Sequence, residues 1–536
     1  MKRSLTAVFL ALLSLCLVPP LLLAGTPVEL TILHMNDTHG HLLPFVEKNL
    51  SADRPVSGAA HYAALIEAER ALNPDGTLLL SGGDMFQGTP ISNLFRGKPM
   101  LEVMNRLDFD AMVLGNHEFD WGQETLREMI AQATFPFLSA NVVDKDLSFF
   151  PDTRPYVFVT RKDITVGIIG VTTPETRVTT KPSHVENLQF LDPSQVLSSM
   201  VEGVKQQGAH LVVVLSHLGL DADMELAAKV PGIDVIVGGH SHTAVTAPVR
   251  VGRTLVVQAG YYGIYVGVLK LLVDPDSHEI VGSSQENVLR TVYAVPAAPL
   301  DEAVSKMVNT YNDKVKDEFS RKVGETLVDL VRKPYEESNF GNVICDAFLE
   351  ASGAGIALQN GGGIRADILK GPITMEGVYT ALPFDNLLVT MDLKGQRILD
   401  LLEKSAAMEH RILQVAGIMV VHDMQRPVGS RVKEVFVKGG MEAGVRNGGG
   451  VEEPAEAGEL ARGNSPPPGY LPLDPEKSYR VVTNDFLLAG GDGFDAFKEG
   501  ANLVYGDTPR DAFLNFLRKH SPIKPSLENR LVFLNP

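Results

Sequence analysis

A chain of 536 residues with 44% hydrophobic and 21% charged side chains can bury several cores, on the order of two to four domains. Its formal net charge of −17 argues against a nucleic-acid polymer as partner, because phosphate backbones are held by Lys and Arg. A small anionic substrate stays open, since metal ions make a single site locally positive.

The chain begins MKRSLTAVFLALLSLCLVPPLLLAG. Lys2 and Arg3 precede an apolar stretch, and Ala24 and Gly25 are small residues before a cut, so residues 1–25 read as a secretory signal peptide. The competing reading is a retained membrane anchor, because the stretch is long and carries Pro19 and Pro20. Export to a periplasm or a cell surface is expected, with membrane attachment only if the leader is retained. Leu15 stands where lipidation of Cys16 would want a small residue, which argues against that modification. Beyond the leader only Cys345 remains, so no intramolecular disulfide forms and stability rests on packing and metal. Cys345 lies in GNVICDAFLEA, an apolar helical pattern, and reads as an inert buried thiol. No later stretch is long and apolar enough to span a bilayer.

Residues 26–299 alternate short apolar strands with helical segments, the pattern of a layered α/β domain. The strands are VELTILHMN, TLLLSGG, FDAMVLG, ITVGIIGVTT, HLVVVLSH, DVIVGGH and TLVVQAG; AAHYAALIEAERALN and TLREMIAQAT read as helices. Unbroken β-branched runs predict strands covered on both faces. Residues 300–325 have helical spacing and many charges and are expected to form a linker helix. From 326 to 536 a second domain follows, opened by the helix SNFGNVICDAFLEASG with Ser338 or Asn339 as its cap and Gly353 near its stop. Within it, residues 439–470 are rich in Gly, Glu and Pro and read as a flexible surface insertion.

Chemistry gathers where the strands stop. LTILHMNDTHGH ends in Asp37 and His39, LLLSGGD in Asp84, VLGNHEFDWG in Asn116, His117, Glu118 and Asp120, VVVLSHLG in His217, and VIVGGHSH in His240 and His242. Open α/β sheets bind ligands beyond the carboxyl ends of their strands, so residues far apart in sequence converge there. Imidazole and carboxylate together suit zinc, manganese, iron or cobalt. One structural zinc takes about four ligands; more are present here, enough for two ions bridged by a carboxylate. Such a pair, about 3.5–4 Å apart, clamps the attacking and leaving oxygens of a phosphoryl centre. Any single element has a plainer explanation: a D-T-H triplet alone is weak, GHSH can open a helix, and Asp120 can simply cap the helix at DWGQETLREM. The ordered series at strand ends is what points to metal.

The second half carries a different set. LQNGGGIRADI places Asn360 and Arg365 around bare glycines, where backbone N–H groups approach an anion and Arg makes a forked contact to phosphate. YTALPFDNLLV carries Phe384, and VVTNDFLLAGGDGFDAF carries Phe486 and Asp492. Two aromatic rings on separate loops can sandwich a planar base.

In order and spacing these motifs resemble the calcineurin-like metallophosphoesterases and, across both halves, the bacterial periplasmic and animal ecto 5′-nucleotidase family that includes UDP-sugar hydrolases. The resemblance implies an N-terminal four-layer α/β sandwich holding two divalent metal ions (zinc, manganese, cobalt or iron) and a C-terminal α+β substrate-binding domain. It implies Asp37 and His39 at the first metal with His242 completing that site, Asp84 bridging, and Asn116, His217 and His240 at the second. His117 and Asp120 match the family's catalytic dyad. A protonated imidazole there assists a poor leaving group, and the carboxylate holds it charged and oriented. Glu118 and Trp121 read as structural. Phe384 and Phe486 match the base-stacking positions, Asp492 the sugar contact, and Asn360 and Arg365 the phosphate or nucleoside contacts. One match is not clean: where the family commonly has a further phosphate-binding Arg ahead of ESNFGN, this chain offers Arg332 or Lys333, offset by a residue or two. The family also implies a rotation between the halves, with a hinge expected near the helix before Gly324, so that an engineered disulfide locking the domains should suppress turnover.

The implied activity is release of phosphate from nucleoside 5′-monophosphates, with nucleoside diphosphate sugars and nucleoside di- and triphosphates as additional substrates. Alternatives are a 2′,3′-cyclic-nucleotide phosphodiesterase with 3′-nucleotidase activity, a hydrolase of a sulfur-oxyanion group, and a non-catalytic nucleotide-binding surface protein.

Overall fold

The computed structural model describes residues 26–535 apart from 48–49, 51–53, 285–287, 334, 409–411 and 440–467. The leader expected at 1–25 and most of the insertion expected at 439–470 lie outside the described residues.

Two sheets form the heart of the first half. In one, Val28–Met35, Thr77–Ser81, Ala111–Val113 and Phe137–Leu138 run parallel in that order, with Tyr265–Val273 antiparallel against Val28–Met35. In the other, Ile164–Thr172, Leu211–His217, Val235–Val237 and Thr254–Val257 run parallel, flanked by antiparallel Tyr156–Arg161 and Val249–Val251. Successive side chains of a strand point to opposite faces. Leu30, Ile32, Leu78, Leu80 and Val113 therefore meet Ile168, Val213, Leu215 and Val235 between the sheets. The alternate residues Leu33, Leu79 and Met112 face outward onto Tyr62, Ile66, Met100 and Val103 of the helices Ala59–Leu72 and Lys98–Arg106. On the other outer face, Ile169, Val212, Val214 and Ile236 cover Leu197, Val201 and Leu226 of the helices Pro193–Gln206 and Leu220–Lys229. The result is helix, sheet, sheet, helix. Both faces of the inner parallel strands are buried, which is why runs such as Thr77–Ser81, Leu211–His217 and Val235–Val237 are largely apolar, whereas the edge strands Tyr156–Arg161 and Val249–Val251 stay partly exposed.

The expected linker helix is not continuous. It divides into Glu302–Asn312 and Lys316–Phe319. Val304, Val308 and Tyr311 are committed to the first core, and Phe319 to a core of the second half. A straight helix cannot turn one stripe toward both bodies, and Asn312 and Asp313 favour a break.

The second half is built on a five-stranded sheet in the order Leu413–Ala416, Ile356–Asn360, Ser478–Asn484, Leu388–Lys394, Ala501–Tyr505. The helix Asn339–Ser352 packs on it, capped by Ser338, whose Oγ accepts from the Gly341 N–H at 2.8 Å, and stopped at Gly353 in the left-handed region. Cys345 is buried on this helix, and burial pushes its thiol up. Ile356–Asn360 runs parallel to Ser478–Asn484, and Leu388 pairs antiparallel with Asn484. That register brings the loops bearing Asn360, Phe384 and Phe486 to one end of the sheet, facing the first half. Among the described residues no helix is long and apolar enough to cross a membrane.

Candidate active site

The parallel strands of both sheets discharge their C-terminal ends at one edge. Asp37 and His39 follow Met35, Asp84 follows Ser81, and Asn116 follows Val113. His217 ends its own strand, and His240 and His242 follow Val237. Several of these residues have left-handed backbones: φ is 48° at Asp37 and at His39, 53° at Asp84, 73° at His240 and 57° at His242. Such conformations cost about 1–3 kcal/mol each in non-glycine residues and persist where surrounding structure over-determines them, most often at functional sites.

The side chains form two groups, Asp37 with His39 and His242, and Asp84 with His217 and His240; within each group the ligand atoms lie within 4.8 Å of one another. Asp84 links them, its Oδ2 standing 3.0 Å from His217 Nε2 and 3.9 Å from His39 Nε2. His39 Nδ1 sits 2.8 Å from the Gln87 carbonyl and His217 Nδ1 2.6 Å from that of Gly82. Each carbonyl takes a ring N–H, which leaves Nε2 as the bare, ligating nitrogen. His39 Nε2 then faces His242 Nε2 at 3.2 Å, an arrangement that a shared cation relieves. Asn116 Oδ1 and Asp37 Oδ1 are buried without a hydrogen bond. Buried acceptors without donors are costly, and a divalent ion satisfies them. The residues present therefore fit a dimetal centre. Burial, and next the Arg365 guanidinium, hold the His39 imidazole well below its ordinary pKa, in the neutral form a metal needs. Close packing leaves no slack: a Cβ on Gly115 would stand 2.2 Å from Asp84 Oδ1.

His117 belongs to neither group, although its ring lies 5.2 Å from that of His39. Its Nδ1 lies 2.6 Å from Asp120 Oδ2, and its backbone N–H donates to Asp84 Oδ1 at 2.8 Å. Burial alone would favour the neutral ring; the Asp120 and Asp84 carboxylates outweigh it and raise the His117 pKa. Asp120 does not cap the following helix, whose N-cap is Trp121; its carboxylate is taken by His117 and by the Thr180 hydroxyl.

Glu118, read from sequence as structural, accepts backbone N–H groups of Met85 at 2.9 Å, Asp84 at 2.9 Å and Gly115 at 2.7 Å. It thereby fastens the Asp84 loop to the Asn116 loop. Asn36 works similarly: its amide donates to Asp37 Oδ2 and to the Gly260 carbonyl, both at 2.7 Å. The Glu118 contacts to Asp84 and Met85 span 34 and 33 residues, and that of Asn36 to Gly260 spans 224, so no local pattern announces them.

Across the cleft, the second half faces this edge. One pocket is lined by His117, Asp120, Asn360, Arg365, Phe384, Phe486 and Asp492. The Phe384 ring lies 6.0 Å from that of His117. Asn360 donates to Asp492 Oδ2 at 2.7 Å. Arg365 Nη2 reaches to 3.3 Å from His39 Nε2, and the Tyr262 hydroxyl donates to the Arg365 carbonyl at 3.1 Å. Of the two cations near ESNFGN, Lys333 pairs with Glu336 at 2.7 Å. Arg332 instead keeps company with Tyr262, Asp367, Tyr261 and Glu47, whose influence overcomes burial and raises its pKa.

Residues 30–244 match the calcineurin-like phosphoesterase family, and residues 322–499 match the 5′-nucleotidase C-terminal domain. A 5′-nucleotidase of Bos taurus is 32% identical over 560 residues, covering 95% of this chain and 92% of the relative. The chain belongs to the 5′-nucleotidase family. The family comprises metal-dependent phosphoric monoester hydrolases, and both of its domains are present here. The human 5′-nucleotidase is 32% identical, with 94% of this chain and 91% of the relative covered. The crystal structure of a 5′-nucleotidase precursor from Thermus thermophilus superposes with a TM-score of 0.83 at 38% identity, covering 95% of this chain and 100% of that one. A Thermus thermophilus sulfate thiohydrolase, SoxB, shares the fold at 22% identity and a TM-score of 0.76.

Proposed function

We propose that this member of the 5′-nucleotidase family is an exported enzyme that releases phosphate from nucleoside 5′-monophosphates, with nucleoside diphosphate sugars and nucleoside di- and triphosphates as further substrates. Residues 1–25 support export, and the activity named for the bovine, human and Thermus relatives supports the substrate class. Asp37, His39 and His242 would hold one divalent ion and Asn116, His217 and His240 the other, with Asp84 shared. When bound, the ions polarise phosphoryl oxygens and lower the pKa of a water. The nitrogen and oxygen donors suit zinc, manganese, cobalt or iron.

The remaining roles fall to the chain itself. His117, held by Asp120, stabilises charge developing on the sugar oxygen or donates a proton to it. Arg365 and Asn360 orient the phosphate end, Asp492 the sugar, and Phe384 and Phe486 the base, where stacking is worth about 1–3 kcal/mol for any base. The observation that carries this reading is that one pocket is lined at once by the His117–Asp120 pair and by the Phe384, Phe486 and Asp492 loops.

The test is phosphate release from AMP, UDP-glucose and 2′,3′-cyclic AMP, each after chelation and after return of manganese, cobalt or zinc. AMP turnover should vanish with chelator and fall about 10²–10⁴-fold in His117→Ala. Preference for the cyclic nucleotide would install the phosphodiesterase reading. Nucleotide binding without turnover under any metal would leave a binding protein.

A further inference from the structure

Thr180 and Lys181 stand side by side after the short helix Thr176–Thr179, and they touch two different parts of the cleft. The Thr180 side chain is 1% exposed, and its hydroxyl donates to Asp120 Oδ1 at 2.7 Å. The other oxygen, Oδ2, holds His117 Nδ1. A carboxylate with one partner turns freely about its terminal torsion, whose energy wells are broad. Partners on both oxygens fix its plane, and with it the direction of the imidazole. The segment is tied to the His117 loop again at His184, whose Nδ1 lies 3.1 Å from the Phe119 carbonyl and whose own carbonyl accepts from Gln123 Nε2 at 2.8 Å.

Lys181 faces the second half. Its Nζ lies 3.1 Å from Asp485 Oδ2. Asp485 in turn accepts the Leu387 N–H on Oδ1 at 3.0 Å, and its own N–H donates to the Leu387 carbonyl at 2.9 Å. Leu387 follows Phe384 on its loop, and Asp485 immediately precedes Phe486. One carboxylate thus knits the two aromatic loops together and is gripped by the residue next to Thr180. Lys181 is 40% exposed, and an ion pair so placed adds little stability; what it sets is registration of the two halves.

We propose that Thr180 is a positioning residue for the His117–Asp120 pair, and that Lys181 links it to the aromatic clamp, so that seating the base aligns the pair. The inference rests on the nucleotidase reading above. It requires the clamp and the pair to act on one bound molecule, with precise orientation controlling the rate.

Steady-state kinetics on the metal-loaded full chain test it, with AMP and, as a phosphate ester lacking a base, ribose 5-phosphate. Thr180→Val keeps the shape and removes the donor. It should lower kcat on both substrates about tenfold or more while the AMP KM stays within about twofold, the scale of one hydrogen bond to a charged group. Thr180→Ser should recover kcat to within about threefold. Lys181→Met should lower the preference for AMP over ribose 5-phosphate, as a ratio of kcat/KM, about three- to tenfold. Metal content and thermal unfolding are matched among variants; if the valine variant does not fold, Thr180→Ala against Thr180→Ser reads the same split. Wild-type kcat in Thr180→Val, or Ser as poor as Val, overturns the positioning role, and an unchanged substrate ratio in Lys181→Met overturns the link. An active wild type with these results overturns this inference alone, whereas a wild type inert on AMP overturns the nucleotidase reading with it.

Discussion

Glu118 spends its carboxylate on backbone N–H groups of Asp84, Met85 and Gly115, and so holds the loops on which Asp84 and Asn116 are displayed. Both of its oxygens are acceptors to N–H groups, so an amide in its place points a donor at a donor. Glu118→Gln should lower metal affinity about 10–100-fold, the usual loss when a group supporting metal ligands is altered, read by calorimetric metal titration. Unchanged affinity would make the three contacts mere loop packing. Asp223 gives a different prediction. It is fully buried beneath His217, its Oδ1 accepts the Ser216 hydroxyl, and burial pushes its pKa up to about 7 from 3.8. A carboxyl whose folded pKa is raised binds its proton more tightly in the native state, so stability falls as pH rises from the unfolded pKa toward the folded one and then levels off. In chelated protein, Asp223→Asn should therefore gain thermal stability relative to wild type between about pH 4 and 7. A melting-temperature difference independent of pH would show that Asp223 titrates normally. Residues of these kinds differ in how they can be read. Asp37, Asp84, Asn116 and His217 stand out because each ends or follows a strand. Glu118 and Thr180 do not, because their partners Asp84 and Asp120 stand 34 and 60 residues away; Asp223 does not, because nothing in the acidic first turn of the helix Leu220–Lys229 announces that this one carboxyl is buried.

At the level of elements, the turn Gly490–Asp492 shapes the clamp. A Cβ on Gly491 would stand 2.5 Å from two Phe486 ring atoms, whereas its backbone φ is ordinary, so space alone requires glycine there. Gly491→Ala must push the ring from its place. Losing part of a stacking contact worth about 1–3 kcal/mol should raise the AMP KM about fivefold or more, with little change for ribose 5-phosphate; equal effects on the two substrates would mean that the turn, not the ring, was disturbed. The inner strands themselves were legible: TLLLSGG, HLVVVLSH and DVIVGGH all stand where their apolar runs place them, because burial on both faces leaves no polar alternation to confuse. The linker was not. Its charges and spacing permit one helix, and the division of Tyr311 and Phe319 between two cores decides that it breaks, at Asn312 and Asp313. Periodicity reports that a face is apolar and does not say which body it meets.

For the whole molecule, that break lies between two bodies with separate cores, and we propose it as the pivot of the expected rotation. Among the described residues the hydrogen bonds and ion pairs across the cleft include Tyr262 to the Arg365 carbonyl, Arg365 to His39, Asn93 to the Pro383 carbonyl at 3.3 Å, and Lys181 to Asp485, beside the ring contact of Phe384 with His117. Such contacts open without exposing apolar core, as relative domain motion demands. If opening admits substrate and frees product, joining the halves must stop repeated turnover while sparing chemistry on a molecule already enclosed. Cysteines at 93 and 383, joined by a reducible bismaleimide, provide that lock, and the buried Cys345 stays out of reach of the reagent. Linked protein should lose about tenfold or more of its AMP turnover and recover it on reduction, whereas the double variant before linking should stay close to wild type. Turnover undiminished by the link would place substrate exchange elsewhere, through the open rim of the pocket, and would leave the divided linker as a spacer.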